Sequence, residues 1–181
     1  ARPLLEKVTA TQLPPVWLSY GADDAYTMGL DGKAYDLDLA ELERVSLETT
    51  EHIRIFMKSD ILRYCDLIDM PGISDPSMSS EVWERMAHMA DAVLWCTHAT
   101  QAWRQSESGV WSTFPQEMRQ NSLLLVTRFD KIVGEKDRAK VVKRVQQETE
   151  GLFAEVFPVS LLQAMRAEGD EAKWVDSGVD D

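Results

Sequence analysis

From Ala92 onward the chain alternates between short continuous apolar runs and longer amphipathic ones, and this alternation narrows the available folds more than any other feature. The apolar runs fall at residues 92–96, 122–126 and 156–159. Residues 106–119 and 136–153 lie between them with helical spacing, and 161–167 follows as a further helix. Strands that are apolar along their whole length, joined by helical crossovers, predict a three-layer α/β fold. Its sheet is mostly parallel and carries helices on both faces.

The first half reads differently. Pro14 and Pro15 open a β-prone run at 16–20, and after a turn at 21–24 a second run, 25–28, is placed to pair with it. Residues 30–33 make another turn. Leu39, Leu42, Val45 and Leu47 recur near helical spacing behind Asp36 or Asp38 as cap, which predicts a helix to about Glu51. Residues 53–57 and 62–68 read as strands joined tightly and antiparallel through 58–60, the second stopping at Asp69-Met70-Pro71-Gly72, and a helix is expected over 79–90. The end of the chain, 168–181, is acidic and contains Gly169 and Gly178, so it reads as a poorly ordered tail or linker behind a single domain spanning 1–167.

Composition bounds the partners. Nineteen basic residues against 31 acidic ones give a net charge of -12 over 181 residues, which disfavours non-specific attraction to nucleic acid or anionic lipid. No nucleic-acid partner is expected. Cys65 and Cys96 sit inside apolar runs, where a thiol packs as a small hydrophobe, and a reducing, cytoplasmic setting follows. No apolar stretch approaches the roughly 18 residues of a membrane span. The start, Ala1-Arg2-Pro3-Leu4, has neither an initiator Met nor a signal-peptide pattern, so the chain is expected to be cut from something longer.

In open parallel α/β sheets ligands bind beyond the carboxyl ends of the strands, so the residues closing each strand are read together. At Asp69-Met70-Pro71-Gly72, an Asp can hold a Mg²⁺-bound water and a Gly amide can donate to a terminal phosphate with no side chain in the way. Taken alone, the same residues also make an ordinary strand-ending turn. Residues 123–126 empty directly into Thr127-Arg128-Phe129-Asp130. There an Asp can accept from both the N1–H and the exocyclic amino group of guanine, a donor pair that adenine lacks. The aliphatic part of Arg128 can lie along a base face. By itself, Asp130 is equally a solvated loop acid. Ser160, where the last strand gives way to a helix, alone is merely an N-cap.

Together and in this order the three loops resemble the later motifs of guanine-nucleotide-binding P-loop proteins, whose fold is Rossmann-like. Asp69-Met70-Pro71-Gly72 looks like the DxxG element in its DxPG form, Thr127-Arg128-Phe129-Asp130 like [NT]KxD, and Ser160-Leu161-Leu162 like SA[KL]. The DxPG form, the long segment before it and residues 90–101 after it most resemble bacterial dynamin-like GTPases, over roughly Thr9 to Ala164. The chain departs from that pattern in three places. The loop G-x-x-x-x-G-K-[ST] and the strand before it are absent, Gly32-Lys33-Ala34 being a decoy with Ala34 where a hydroxyl is needed. Arg128 and Thr127 replace the commoner Lys and Asn, and Leu161 stands where Ala is usual.

The resemblance implies GTP and GDP as ligands, Mg²⁺ as cofactor, and GTP hydrolysis in an intact parent. It implies Thr11, slightly preferred to Thr9, and Asp69 at the metal, Gly72 at the γ-phosphate with Pro71 beside it, Thr127, Arg128 and Asp130 at the base, and Ser160 and Leu161 in the supporting loop. It also implies self-association through the G domain, and membrane remodelling through segments these residues do not include, with the parent peripheral at the inner face of the membrane. Two rivals stand beside it: a degenerate, nucleotide-free α/β interaction module, and an unrelated small α/β enzyme. His52, His88 and His98 are scattered with no metal-ligand spacing, and a triad drawn from Ser160 and His98 lacks a G-x-S-x-G elbow. Trp83, Trp95, Trp103 and Trp111 read as core, with Trp103 and Trp111 offering a partner surface if exposed.

Overall fold

The computed structural model describes residues 13–72, 80–167 and 169–179. The chain divides into two compact units at Met86/Ala87, and each holds its own sheet among the described residues. Among the described residues no helix is long and apolar enough to cross a membrane.

The first unit holds a five-stranded sheet in the order β3-β2-β4-β1-β5, with β1 at Val16–Tyr20, β2 at Asp24–Gly29, β3 at Ala34–Asp36, β4 at Thr50–Met57 and β5 at Leu67–Asp69. β1 does not pair with β2 as expected. It runs parallel to β4 and antiparallel to β5, with Val16 opposite both Ile53 and Asp69. β2 instead turns back onto β3, because Gly32 at φ 75° supplies the left-handed residue that a tight reversal needs. The Gly29 amide donates to the Lys33 carbonyl at 2.8 Å, so Gly32-Lys33-Ala34 is a hairpin turn.

The expected helix from Asp38 to Glu51 is only a 3-10 turn at Leu39–Arg44. Asp38 does cap it, accepting from the Ala40 amide at 2.9 Å. The apolar spacing serves packing instead: Leu42 joins Val16, Leu18, Ala25, Ile53, Ile55 and Leu62 in the core, and the chain leaves the turn extended at Val45. The strand expected at 62–68 likewise begins only at Leu67. A 3-10 turn at Ile61–Arg63 buries Leu62 and leaves Cys65 exposed, and β4 and β5 flank β1 without pairing with each other.

On the other face of this sheet a polar tie fixes β5. The Arg54 guanidinium lies 4.2 Å from the Trp17 ring centroid and donates to Ser19 Oγ at 2.9 Å and to Asp66 Oδ2 at 3.0 Å; Trp17 Nε1 donates to the same Asp66 oxygen at 2.8 Å. Asp66 stands immediately before the strand that delivers Asp69. α1 follows at Ser80–Ala87.

The second unit is the parallel βαβ array that the alternation predicted: β6 (Leu94–His98), β7 (Leu123–Thr127) and β8 (Glu155–Pro158) in that order, all parallel. Its helices are α2 (Gln105–Trp111), α3 (Gln116–Gln120), α4 (Glu135–Glu148), α5 (Leu161–Arg166) and α6 (Glu171–Asp176). The single helix expected over 106–119 is two, because Pro115 has no amide to continue the ladder and starts α3 instead. Trp95, Thr97, Leu124 and Val126 are buried on one face together with Trp111 and Phe114. On the opposite face Leu94, Cys96 and His98 are exposed. β6 is therefore not buried on both sides, and Cys96 is no core thiol. Trp95, Trp103 and Trp111 are core residues, as read. The acidic segment after Ala167 is no loose tail: Asp170 caps α6, accepting from the Lys173 amide at 3.3 Å, and Ser177 is buried.

Candidate functional site

The loop that follows β7, the candidate for base recognition, is built in the second unit from the ends of all three strands. Thr127, the last residue of β7, donates its hydroxyl to the Thr97 carbonyl at 3.0 Å, tying the ends of β6 and β7 together. Thr97 is fixed in turn: its hydroxyl donates to Glu107 Oε2 at 2.9 Å and accepts from the Trp103 amide at 3.1 Å. The Arg104 amide also donates to Glu107 Oε2, at 3.0 Å. Both Thr97 and Glu107 are buried, so this polar cluster is satisfied internally, as a buried carboxylate must be. Thr127 thus spends its side chain on the scaffold.

At Arg128 the backbone turns left-handed, φ 54° and ψ 38°, a conformation that costs a non-glycine residue about 1 kcal/mol. The turn ends the strand and starts a 3-10 turn at Phe129–Lys131, held to the neighbouring strand end by the Phe129 amide donating to the Val159 carbonyl at 3.2 Å. Asp130 then meets Ser160, whose hydroxyl donates to Asp130 Oδ1 at 2.7 Å. The Asp130 side chain keeps 17% of its surface exposed, with Lys131 Nζ 3.7 Å from Oδ2. The Ser160 hydrogen bond first, with a backbone hydrogen bond and then Lys131 adding to it, holds the Asp130 carboxyl below the usual carboxylate range. Asp130 is therefore an oriented, ionised acceptor and not a solvated loop acid. Ser160, 1% exposed, is both the cap of α5, accepting from the Gln163 amide at 3.3 Å, and the residue that aims Asp130. Leu161 is the first residue of α5, where an amide has no partner within the helix.

The second candidate loop closes β5 in the first unit. Asp69 ends the strand, Pro71 is half-buried and Gly72 is exposed. A Cβ at Gly72 would meet nothing within 4 Å and its φ is not positive, so the described fold does not itself demand glycine there. Close approach by a ligand would. The Asp69 residue is exposed at its edge, yet desolvation by the protein around its carboxyl raises its pKa above the ordinary value, with no partner lowering it. A hard oxygen donor in that state fits a Mg²⁺ ion, which takes few protein ligands and keeps its waters. Thr11 and Thr9 lie outside the described residues. Among the described residues no three His, Cys, Asp or Glu side chains gather as a metal cluster, and His52 is a buried histidine on the sheet of the first unit, where burial lowers its pKa.

One consequence is measurable. A carboxyl with a raised folded pKa favours folding below its unfolded pKa and loses that contribution as pH rises through the folded value. Asp69→Asn is expected to raise the urea midpoint of the metal-free chain at pH 7, with the gain over wild type vanishing as the pH is lowered through 4. A midpoint lowered at pH 7 would show that Asp69 has a partner in the fold.

Sequence reasoning missed Thr97, Glu107, Asp66, Ser177 and Gly178. Of these only Glu107 has a local pattern: as the third residue of α2 it reaches back to accept from the Arg104 amide, one half of a capping box, the other half being closed to an arginine side chain that has no acceptor.

No protein-family model matches the chain. The GTPase Era of Aquifex aeolicus (strain VF5) is 23% identical over 103 residues, covering 53% of this chain and 34% of that protein. Two solved chains of an oligomerised bacterial dynamin pair, described as a mechanism for long-range sensing and tethering of membranes, share its fold. One aligns with TM-score 0.58 at 16% identity over 83% of this chain, the other with 0.60 at 14% over 92%. The chain spans only 26% and 30% of those two proteins. It resembles bacterial dynamins and has the α/β fold of a P-loop GTPase domain.

Proposed function

We propose that the chain is the guanine-nucleotide-binding part of a dynamin-like GTPase, with residues 1–167 supplying the partial G domain. The observation that carries this reading is the Ser160–Asp130 pair, 2.7 Å apart at the carboxyl ends of β7 and β8. An ionised Asp with one oxygen pinned from behind leaves lone pairs for the two adjacent N–H groups of guanine. Arg128 lies against the base, Thr127 holds the loop, and the Leu161 amide faces the base carbonyl. Asp69 and Thr11 would hold Mg²⁺, Gly72 would offer its amide to the γ-phosphate, and Pro71 sets the turn. Bound Mg²⁺ supplies charge neutralisation on the phosphate oxygens; catalysis otherwise comes from positioning.

No G-x-x-x-x-G-K-[ST] run occurs within these 181 residues, so turnover requires a phosphate grip from outside them. The parent is read as self-associating through this domain, cytoplasmic, and peripheral at the inner face of the membrane. The net charge of -12 favours a nucleotide over a nucleic acid. The missing phosphate loop also favours a second reading, a nucleotide-free interaction module.

Fluorescent GDP and ADP titrated against the full protein carrying this chain separate the two. The expected result is saturable binding that prefers GDP, with Asp130→Ala reducing GDP affinity to the ADP level. Selectivity retained in Asp130→Ala sinks the assignment of the base loop, and absence of saturable binding supports the interaction module.

A further inference from the structure

Ser160 is held from three directions. Its hydroxyl donates to Asp130, accepts from Gln163 in its own helix, and its amide donates to the Ser177 carbonyl at 2.8 Å. That third bond comes from the end of the chain. The β7–β8 connection is spent one residue earlier, when the Val159 amide donates to Val126 at 2.9 Å, so Ser160 carries the first amide the sheet does not anchor. Ser177, 2% exposed, supplies the acceptor.

The next residue shows how closely this segment seats. Gly178 has φ 72°, and a Cβ there would stand 2.2 Å from the Pro158 carbonyl oxygen and 3.7 Å from Val159 Cα. Unlike Gly72, this glycine is required twice over, by its left-handed backbone and by a backbone neighbour that cannot move aside. α6 delivers both residues, started by the Asp170 cap and closed by the Gly178 amide donating to the Val175 carbonyl at 3.0 Å.

We infer that residues 170–178 form a clasp on the guanine loop, in which Ser177 and Gly178 are positioning residues that set Ser160 and, through it, the aim of Asp130. The inference rests on the guanine reading above and deepens it: affinity for the base is coupled to the docking of α6. Loosening α6 frees the Ser160 backbone, the hydroxyl loses its line to Asp130, and the carboxylate is left with Lys131 as its remaining neighbour.

The test compares wild type with Gly178→Ala in the full protein, using GDP and ADP as probes and hydrogen exchange at the Ser160 amide without nucleotide. The expected result is GDP binding weakened about tenfold, the weight of one hydrogen bond to a charged group, with ADP binding unchanged. The acid limb of GDP binding should move to higher pH as Asp130 returns toward the ordinary carboxylate range, and the Ser160 amide should exchange faster. Wild-type protection at Ser160 together with wild-type GDP affinity overturns the clasp. If Gly178→Ala does not fold, Asp170→Ala, which removes the cap of α6 and its ion pair with Lys173, should show the same changes to a smaller extent, and unchanged exchange there overturns it equally. A wild type with no guanine preference counts against the proposed function alone, because Ser160 exchange in the nucleotide-free protein still decides the clasp.

Discussion

Asp130→Asn is expected to turn guanine selectivity into xanthine selectivity. Guanine presents two donors, N1–H and the exocyclic amino group, and in the proposed role the Asp130 carboxylate meets both with acceptors. In the variant the Ser160 hydroxyl, already capping α5 and donating to the Asp130 Oδ1 position, orients the new amide. Its oxygen takes the Ser160 side and its NH₂ replaces Oδ2. A donor then faces the amino group of guanine, so one charge-assisted hydrogen bond is lost and the one from N1–H becomes neutral. The lost bond alone is worth about 1.5–3 kcal/mol, so GDP affinity should fall by roughly tenfold to a hundredfold. Xanthine carries a carbonyl where guanine carries the amino group, and restores the match. Competition of fluorescent GDP with unlabelled XDP checks this: xanthine should outcompete guanine on Asp130→Asn and fail on wild type. A variant that loses GDP without gaining XDP would mean that Asp130 supports the loop and does not read the base.

The second unit was largely legible in the sequence because there pattern and packing agree. Residues 123–126 are apolar along their length and emerge as a strand with Leu124 and Val126 fully buried, and the residues closing β7 and β8 do converge. The first unit was legible in its strands but not in their pairing, since period-two runs at 16–20 and 25–28 do not say which edge each will take. Gly32 decided it, standing in the turn already read at 30–33, whose flanking strands the pattern did not pair. At 39–47 the spacing of Leu39, Leu42 and Val45 fits a 3-10 turn and an extended exit as well as an α-helix. The support of the site was least visible. Glu107 lies far from Thr127 in sequence, and Gly178 in an acidic tail has no motif.

The largest stability effect should come from Trp111, which links the helices of the second unit to the strand that carries Thr97. It is 1% exposed, stacks on Phe153 at 4.3 Å with the rings 16° apart, and meets Trp95 edge-on at 5.1 Å. Its indole N–H donates to the Leu152 carbonyl at 3.2 Å. Trp111→Ala removes the ring, leaves a cavity between aromatics that cannot close around it, and orphans that carbonyl, costing about 3–5 kcal/mol. Against the 5–15 kcal/mol typical of a domain, that is enough to unfold much of the population near 37 °C. Trp111→Phe keeps the stacking face and loses the N–H, and should cost less than half as much. Urea unfolding followed by near-UV circular dichroism ranks the two, with Tyr64→Ala, at an 86% exposed position, as the neutral reference. Because Trp95 and Thr97 are neighbours on β6, the base loop should lose its shape in the same transition as the aromatic cluster. A Trp111→Ala protein as stable as Tyr64→Ala would mean that this cluster does not carry the strand ends on which Asp130 depends.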